Sequence, residues 1–227
     1  LRGLLAEFST HHVAAPRVAA IAASTPDELR CAIRDGHLVL HYQPKVDFGT
    51  AALLGVEALV RWQHPQAGMI FPDQFIGLAE DHGLIDELTS QVLRQALRQA
   101  CRWKDAGLDL QLSVNVSMSN LVVLDFPDQV AQMAHEAGFD LRRLMLEVTE
   151  SRLMQDVRAP LDILMRLRLK RIGLSIDDFG TGHSSLVQLR DVPFDELKLD
   201  RSFVNGAATD PRLAAIVEGT LAMASHL

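Results

Sequence analysis

The sequence predicts an α/β fold of the barrel kind, with a polar mouth, and three observations predict it. Apolar segments of period two alternate with segments of period 3.6 along most of the chain, the pattern of strands joined by helical crossovers. Five of the strand-like segments combine one apolar face with one polar face, whereas an open sheet covered by helices on both sides needs two apolar faces. The polar faces carry Glu57, Asn115, Glu147, the pair Asp177-Asp178, and Lys198, each near the point where strand gives way to loop. In β/α barrels the chemistry sits at that end of the strands.

The elements follow in order. Residues 1–24 are Ala-rich, with His11, His12 and Pro16, and read as the end of an upstream helix plus a linker. The chain opens mid-pattern at Leu1 and reads as a piece of something longer, with residues 25–227 as the barrel domain. Thr25, Pro26 and Glu28 form a helix start with a capping box, and the helix ends near Gly36. Strands are expected at 37–47 and 53–62, joined around Phe48-Gly49-Thr50 by a link short enough for a hairpin. Further strands are expected at 110–117, 144–150, 171–178 and 196–200. Helices are expected at 84–106, 128–137, 158–169 and 211–226. From the second strand onward the alternation implies parallel strands with right-handed crossovers.

Parity assigns the faces, because side chains alternate across a strand. Val39, His41, Gln43 and Lys45 share one face of the first strand, and Gly55, Glu57, Leu59 and Arg61 one face of the second. Ser113, Asn115 and Ser117 oppose Leu112, Val114 and Val116. Met145, Glu147 and Thr149 oppose Leu144, Leu146 and Val148. Gly173, Ser175 and Asp177 oppose Ile172, Leu174 and Ile176, and Glu196, Lys198 and Asp200 oppose Leu197 and Leu199. The apolar face is expected against outer helices and the polar face inside the barrel and at its mouth. An interior filled only by salt bridges, such as Lys198 with Asp177, is the competing explanation. It is weak for five strands in a row, because buried carboxylates without cations are unfavourable.

Composition narrows the function classes. With 227 residues, 48% hydrophobic and 22% charged, the chain can bury one sizeable core. The net charge is −7 and no Lys/Arg-rich run is present, which argues against DNA binding. No apolar run approaches the roughly 20 residues of a membrane span, and no signal peptide pattern is present. Cys31 and Cys101 lie in amphipathic stretches without a CxxC partner and read as buried thiols in a reducing, cytoplasmic compartment.

Glu57, Asn115, Glu147 and Asp177 offer the oxygen ligands that Mg²⁺ or Mn²⁺ prefers. Asp178 points differently from Asp177 and would hold a second ion, so the Asp pair suits a two-metal arrangement. Lys198 would orient or deprotonate an attacking water or stabilise charge. Arg61 would grip a phosphate. These residue types point to metal-dependent chemistry on a phosphorylated ligand and leave hydrolase, lyase and aldolase open. The segment Asp178-Phe179-Gly180-Thr181-Gly182-His183-Ser184-Ser185 reads as a loop shaping the metal site. Glu150 sits where it would hydrogen-bond that loop.

Glu57-Ala58-Leu59 is the triplet for which EAL domains are named, and the chain resembles them from about residue 26 onward. His41-Tyr42-Gln43-Pro44-Lys45 is similar to their opening strand, and Gly55-Val56-Glu57-Ala58-Leu59-Val60-Arg61-Trp62 to their signature. Asn115-Val116-Ser117, Glu147-Val148-Thr149-Glu150, Asp177-Asp178-Phe179-Gly180-Thr181-Gly182 and Lys198-Leu199-Asp200 follow in the family's order. The resemblance implies a modified TIM-type barrel with an antiparallel first strand. It implies Mg²⁺- or Mn²⁺-dependent hydrolysis of cyclic di-GMP to linear pGpG, by the output domain of a signalling protein. It also implies a homodimer and an upstream sensory or receiver domain. It assigns Glu57, Asn115, Glu147 and Asp177 to metal and Asp178 to the second ion. Lys198 would meet the nucleophilic water, Gln43, Leu59 and Arg61 the ligand, and Glu150 the loop after Asp178. His183 departs from the family's more usual Tyr or Phe. The resemblance also implies two further strands beyond Leu227, bringing another catalytic glutamate. The other readings are a catalytically inactive EAL domain that binds cyclic di-GMP or a protein partner, and a different metal-dependent barrel such as a lyase.

Overall fold

The computed structural model describes residues 25–149, 158–180 and 194–224. The expectations for 1–24, for Glu150 and for the loop from Thr181 onward, His183 included, lie outside the described residues.

Helix α1 (Pro26–Asp35) starts as the sequence predicts. The Thr25 hydroxyl accepts from the Glu28 N–H, the Glu28 carboxylate accepts from the Thr25 N–H, and Gly36 closes the helix at φ 80°. Strand β1 (Leu38–Val46) then turns antiparallel into β2 (Leu53–His64), with Gln43 opposite Glu57 and Lys45 opposite Gly55. Asp47 organises the link by accepting from the N–H groups of Gly49 and Thr50.

Two elements between β2 and the next expected helix escape the sequence reading. Strand β3 (Gly68–Ile70) doubles back on the end of β2, and α2 (Pro72–Asp81) follows. Both are short and punctuated by Gly and Pro, so neither shows a sustained period. The chain continues through α3 (Ile85–Asp105), β4 (Gln111–Asn115), α4 (Phe126–Ala137), β5 (Leu144–Thr149), α5 (Arg158–Leu169), β6 (Gly173–Phe179) and β7 (Glu196–Leu199). It closes with the short α6 (Arg201–Val204) and α7 (Pro211–Ala224). No helix among the described residues is long and apolar enough to cross a membrane.

The wall of the fold runs β1-β2-β4-β5-β6-β7, antiparallel at its first step and parallel thereafter. Leu112, Val114, Leu144, Leu146, Val148, Leu174 and Ile176 point away from the polar face into one core with Leu93, Leu97, Val130, Leu164 and Leu167 of the helices. Among the described residues β1 pairs only with β2 and β7 only with β6, so the barrel is open between them. Its two edges still meet across the interior, where the Lys45 ammonium lies 2.6 Å from the Glu196 carboxylate. The parity assignment therefore holds on all six wall strands. One expectation fails. Cys31 is exposed and Cys101 only half-buried, both unpaired, because their positions face outward or the rim of the helix layer rather than the core.

Candidate metal centre

Parallel registry brings the polar residues together. Asn115 pairs with Glu147 across β4 and β5, and Asp177 pairs with Thr149, two residues beyond Glu147 on β5. Asn115 and Glu147 are therefore level, while Asn115 lies two residues beyond the partner of Glu57 and Asp177 two beyond the partner of Glu147, a stagger of the kind that barrel strands show. One carboxylate oxygen each from Glu57, Glu147 and Asp177 lie within 4.8 Å of one another.

Lys198 stands at their centre. Its ammonium donates to Glu147 Oε2 at 2.6 Å and to Glu57 Oε2 and Asp177 Oδ2, both at 3.0 Å. Asn115 Nδ2 donates to Glu57 Oε1 at 2.8 Å, leaving Oδ1 as the atom a cation would take. Glu147 is fully buried. Its Oε1 has no hydrogen-bond partner among the described residues and lies 3.5 Å from the Lys45 ammonium. Lys45 in turn donates to Ser113 and Glu196, and Ser175 donates to Glu196. A second polar layer thus lies below the first, and its members were legible only as residues of the interior face.

Charge and burial compete here. Burial raises the Glu147 carboxyl pKa, the Glu57 charge adds to that, and Lys198 opposes both without overcoming them. Burial pushes Glu57 the same way, but Lys198 and the Asn115 amide outweigh it and the net shift is downward. Burial disfavours the Lys198 ammonium, yet Glu147, Glu57 and Asp177 together raise its pKa. Lys198 is therefore a held cation in this arrangement, suited to donating hydrogen bonds rather than to removing a proton.

Asp178 departs from the strand. Its φ of 55° is left-handed, which Asp tolerates better than most residues, and this turns its side chain off the alternation that Asp177 follows. Its N–H donates to Asp177 Oδ1 at 2.9 Å. Burial, with Asp177 and Asp200 nearby, raises its carboxyl pKa. Asp178 is outside the three-carboxylate cluster but lines the same cavity. Asp200 instead caps α6 by accepting from the Ser202 N–H.

The cavity has a volume of about 490 Å³ and is lined by Glu57, Leu59, Asn115, Asp177 and Asp178 at its polar end. Ile76, Leu88 and Val92 form an apolar wall from α2 and α3. Gln43 is exposed on β1 opposite Glu57, and Arg61 lies two residues beyond Leu59 on the same face of β2; neither is among the residues that line the cavity. Beside Asn115, the fully buried Asn120 accepts from Thr89 and from the Ser117 N–H, and donates to Asp86. The sequence reading missed this clamp, because an Asn in a loop shows no period.

The donor set fits a hard divalent cation: clustered carboxylates, with the Asn115 amide hydrogen-bonded to one of them. The EAL domain family model matches residues 27–227. This chain belongs to the EAL domain family. Among curated relatives, the bifunctional diguanylate cyclase/cyclic di-GMP phosphodiesterase MucR of Pseudomonas aeruginosa is 45% identical over 201 residues, covering 88% of this chain and 29% of that protein. The cyclic di-GMP phosphodiesterase NbdA of the same organism is 45% identical over 202 residues, covering 88% of this chain and 26% of that protein. The chain thus spans less than a third of either relative. A solved structure described as the PaMucR phosphodiesterase in complex with c-di-GMP superposes with a TM-score of 0.82 at 44% identity, over 88% of this chain and 81% of that one. The expected fold is thereby that of the EAL domain.

Proposed function

We propose that this EAL domain hydrolyses cyclic di-GMP to linear pGpG as the output domain of a longer signalling protein. The observation that carries the reading is the convergence of Glu57, Glu147 and Asp177 within 4.8 Å at the barrel mouth, in a fold shared with a phosphodiesterase bound to that ligand.

Glu57, Asn115, Glu147 and Asp177 would hold Mg²⁺ or Mn²⁺, and Asp178 would belong to a second ion. When bound, the ions supply Lewis acidity that makes water nucleophilic and screens phosphate charge. The protein's own groups do the rest. Arg61 and Gln43 hold the ligand at the rim, and Leu59 presents an apolar surface beside it. Lys198, which holds these carboxylates when no ion is present, would turn its hydrogen bonds toward the attacking water and the phosphate oxygens once the ions take them. The apolar wall of Ile76, Leu88 and Val92 limits solvent behind the site. Glu150 would steady the loop that follows Asp178. We further propose a homodimer, an upstream sensory or receiver domain reached through residues 1–24, and a cytoplasmic location, for which the two free cysteines are the supporting observation.

The test is hydrolysis of cyclic di-GMP by the full-length protein, followed by chromatography of the nucleotides. Glu57→Ala and Asp177→Asn are expected to abolish Mg²⁺-dependent turnover, and undiminished turnover in either would remove the metal assignment. Binding of cyclic di-GMP without turnover by the unsubstituted protein would establish the receptor reading instead.

A further inference from the structure

Arg61 is held from two sides. Its guanidinium carbon lies 5.1 Å from the centre of the Phe71 ring, and its Nη1 donates to the Val60 carbonyl at 2.8 Å. Phe71 follows β3 directly, and β3 pairs with the end of β2 through Trp62 and Ile70, so the two side chains are brought together by that small hairpin. The ring has no place in the core, since 44% of Phe71 is exposed.

Phe71 also sits where helix α2 would favour another residue. It is the N-cap of α2 and makes no side-chain cap. Ser, Thr, Asp or Asn at that position would satisfy a backbone N–H that Phe cannot. Two helices of this chain do carry a side-chain cap, from Thr25 before α1 and Asp200 before α6, whereas α3 and α4, like α2, carry none. An exposed aromatic at an uncapped helix start serves neither burial nor the helix. What it does contact is Arg61, which lies on the same face of β2 as Glu57.

We propose that Phe71 is a positioning residue for Arg61. Its ring covers one face of the guanidinium, while the Val60 carbonyl fixes its plane. The planar fork is then presented to a phosphate of the ligand with fewer rotamers to lose on binding. The inference rests on the cyclic di-GMP reading above and deepens it.

The experiment is calorimetric titration of the full-length protein with cyclic di-GMP, with Ca²⁺ replacing Mg²⁺ and the nucleotide checked to remain intact. Phe71→Ser is expected to weaken Kd about two- to fivefold, the range of an exposed cation–π contact. Its Tm should stay level or rise, because Ser caps α2. Phe71→Trp should retain wild-type affinity. In turnover the Ser variant should raise KM and leave kcat in place. Arg61→Ala should weaken binding by itself, and adding Phe71→Ser to it should change nothing more. Wild-type affinity in Phe71→Ser overturns the proposal, as does an equal loss with and without Arg61. Wild-type affinity in Arg61→Ala overturns the underlying assignment of Arg61 as well, so the two failures are distinguishable.

Discussion

Replacing Lys198 by Met tests whether this centre is built to exchange a lysine for a metal ion. The ammonium makes hydrogen bonds of 2.6, 3.0 and 3.0 Å to three carboxylates whose side chains are 0%, 12% and 19% exposed. Removing one member of a buried ion pair costs about 3–5 kcal/mol, because the partner charges stay behind. Partial exposure of Glu57 and Asp177 favours the lower end, so the metal-free variant should lose about 3 kcal/mol. For a protein of this size that lowers Tm by roughly 6–12 °C. The loss should depend on pH. The Glu147 carboxyl pKa is already raised by burial, and without Lys198 it rises further. A carboxyl whose folded pKa lies above its unfolded value penalises the folded state above the folded pKa. The penalty disappears below the unfolded pKa. The deficit should therefore be full at pH 8 and shrink as pH falls toward 5. Saturating Mg²⁺ or Mn²⁺ should restore stability, contributing about 2.7 kcal/mol at a hundred times Kd. Thermal melts with EDTA and with excess metal, at pH 5 and pH 8, measure all of this. A variant as stable as wild type in EDTA, with no larger metal shift, would refute the reasoning.

Two other substitutions probe what positions the centre. Gly55→Ala would place a Cβ 2.5 Å from the Gln111 carbonyl oxygen and 2.8 Å from its Cβ, between β2 and β4, and the neighbour is strand backbone rather than the end of a flexible side chain. A loss of about 3 kcal/mol or more is expected in denaturant unfolding, and a loss under 1 kcal/mol would show that the strands can separate. Asn120→Ala would strip partners from Thr89 and the Ser117 N–H, so about 2–4 kcal/mol should be lost. An unchanged unfolding midpoint would show that water replaces the amide.

Much of this fold was legible because strand parity is a strict rule. Once the apolar residues of β4, β5 and β6 are assigned to the helices, Asn115, Glu147 and Asp177 have no face left but the interior. Helix α1 was equally plain, since its capping box is local. Strand β3 and α2 were hidden because Gly and Pro interrupt their periods, and with them went Phe71 and Ile76 of the cavity's apolar wall. The cysteines were misread because an amphipathic pattern locates the apolar stripe, whereas Cys31 lies on the outward face of its helix and Cys101 is only half-buried.

By itself the sequence determined which residues share the barrel interior, which ends of the strands they occupy, and that their oxygens suit a hard cation. These follow from alternation along one strand at a time. Only the tertiary structure decided that Glu57, Glu147 and Asp177 surround Lys198, that Lys45 reaches across the open barrel to Glu196, and that Arg61 rests on Phe71. Each of those contacts joins separate strands or elements. Its partner is set by sheet stagger, curvature and the small hairpin of β2 and β3, quantities that no single segment carries.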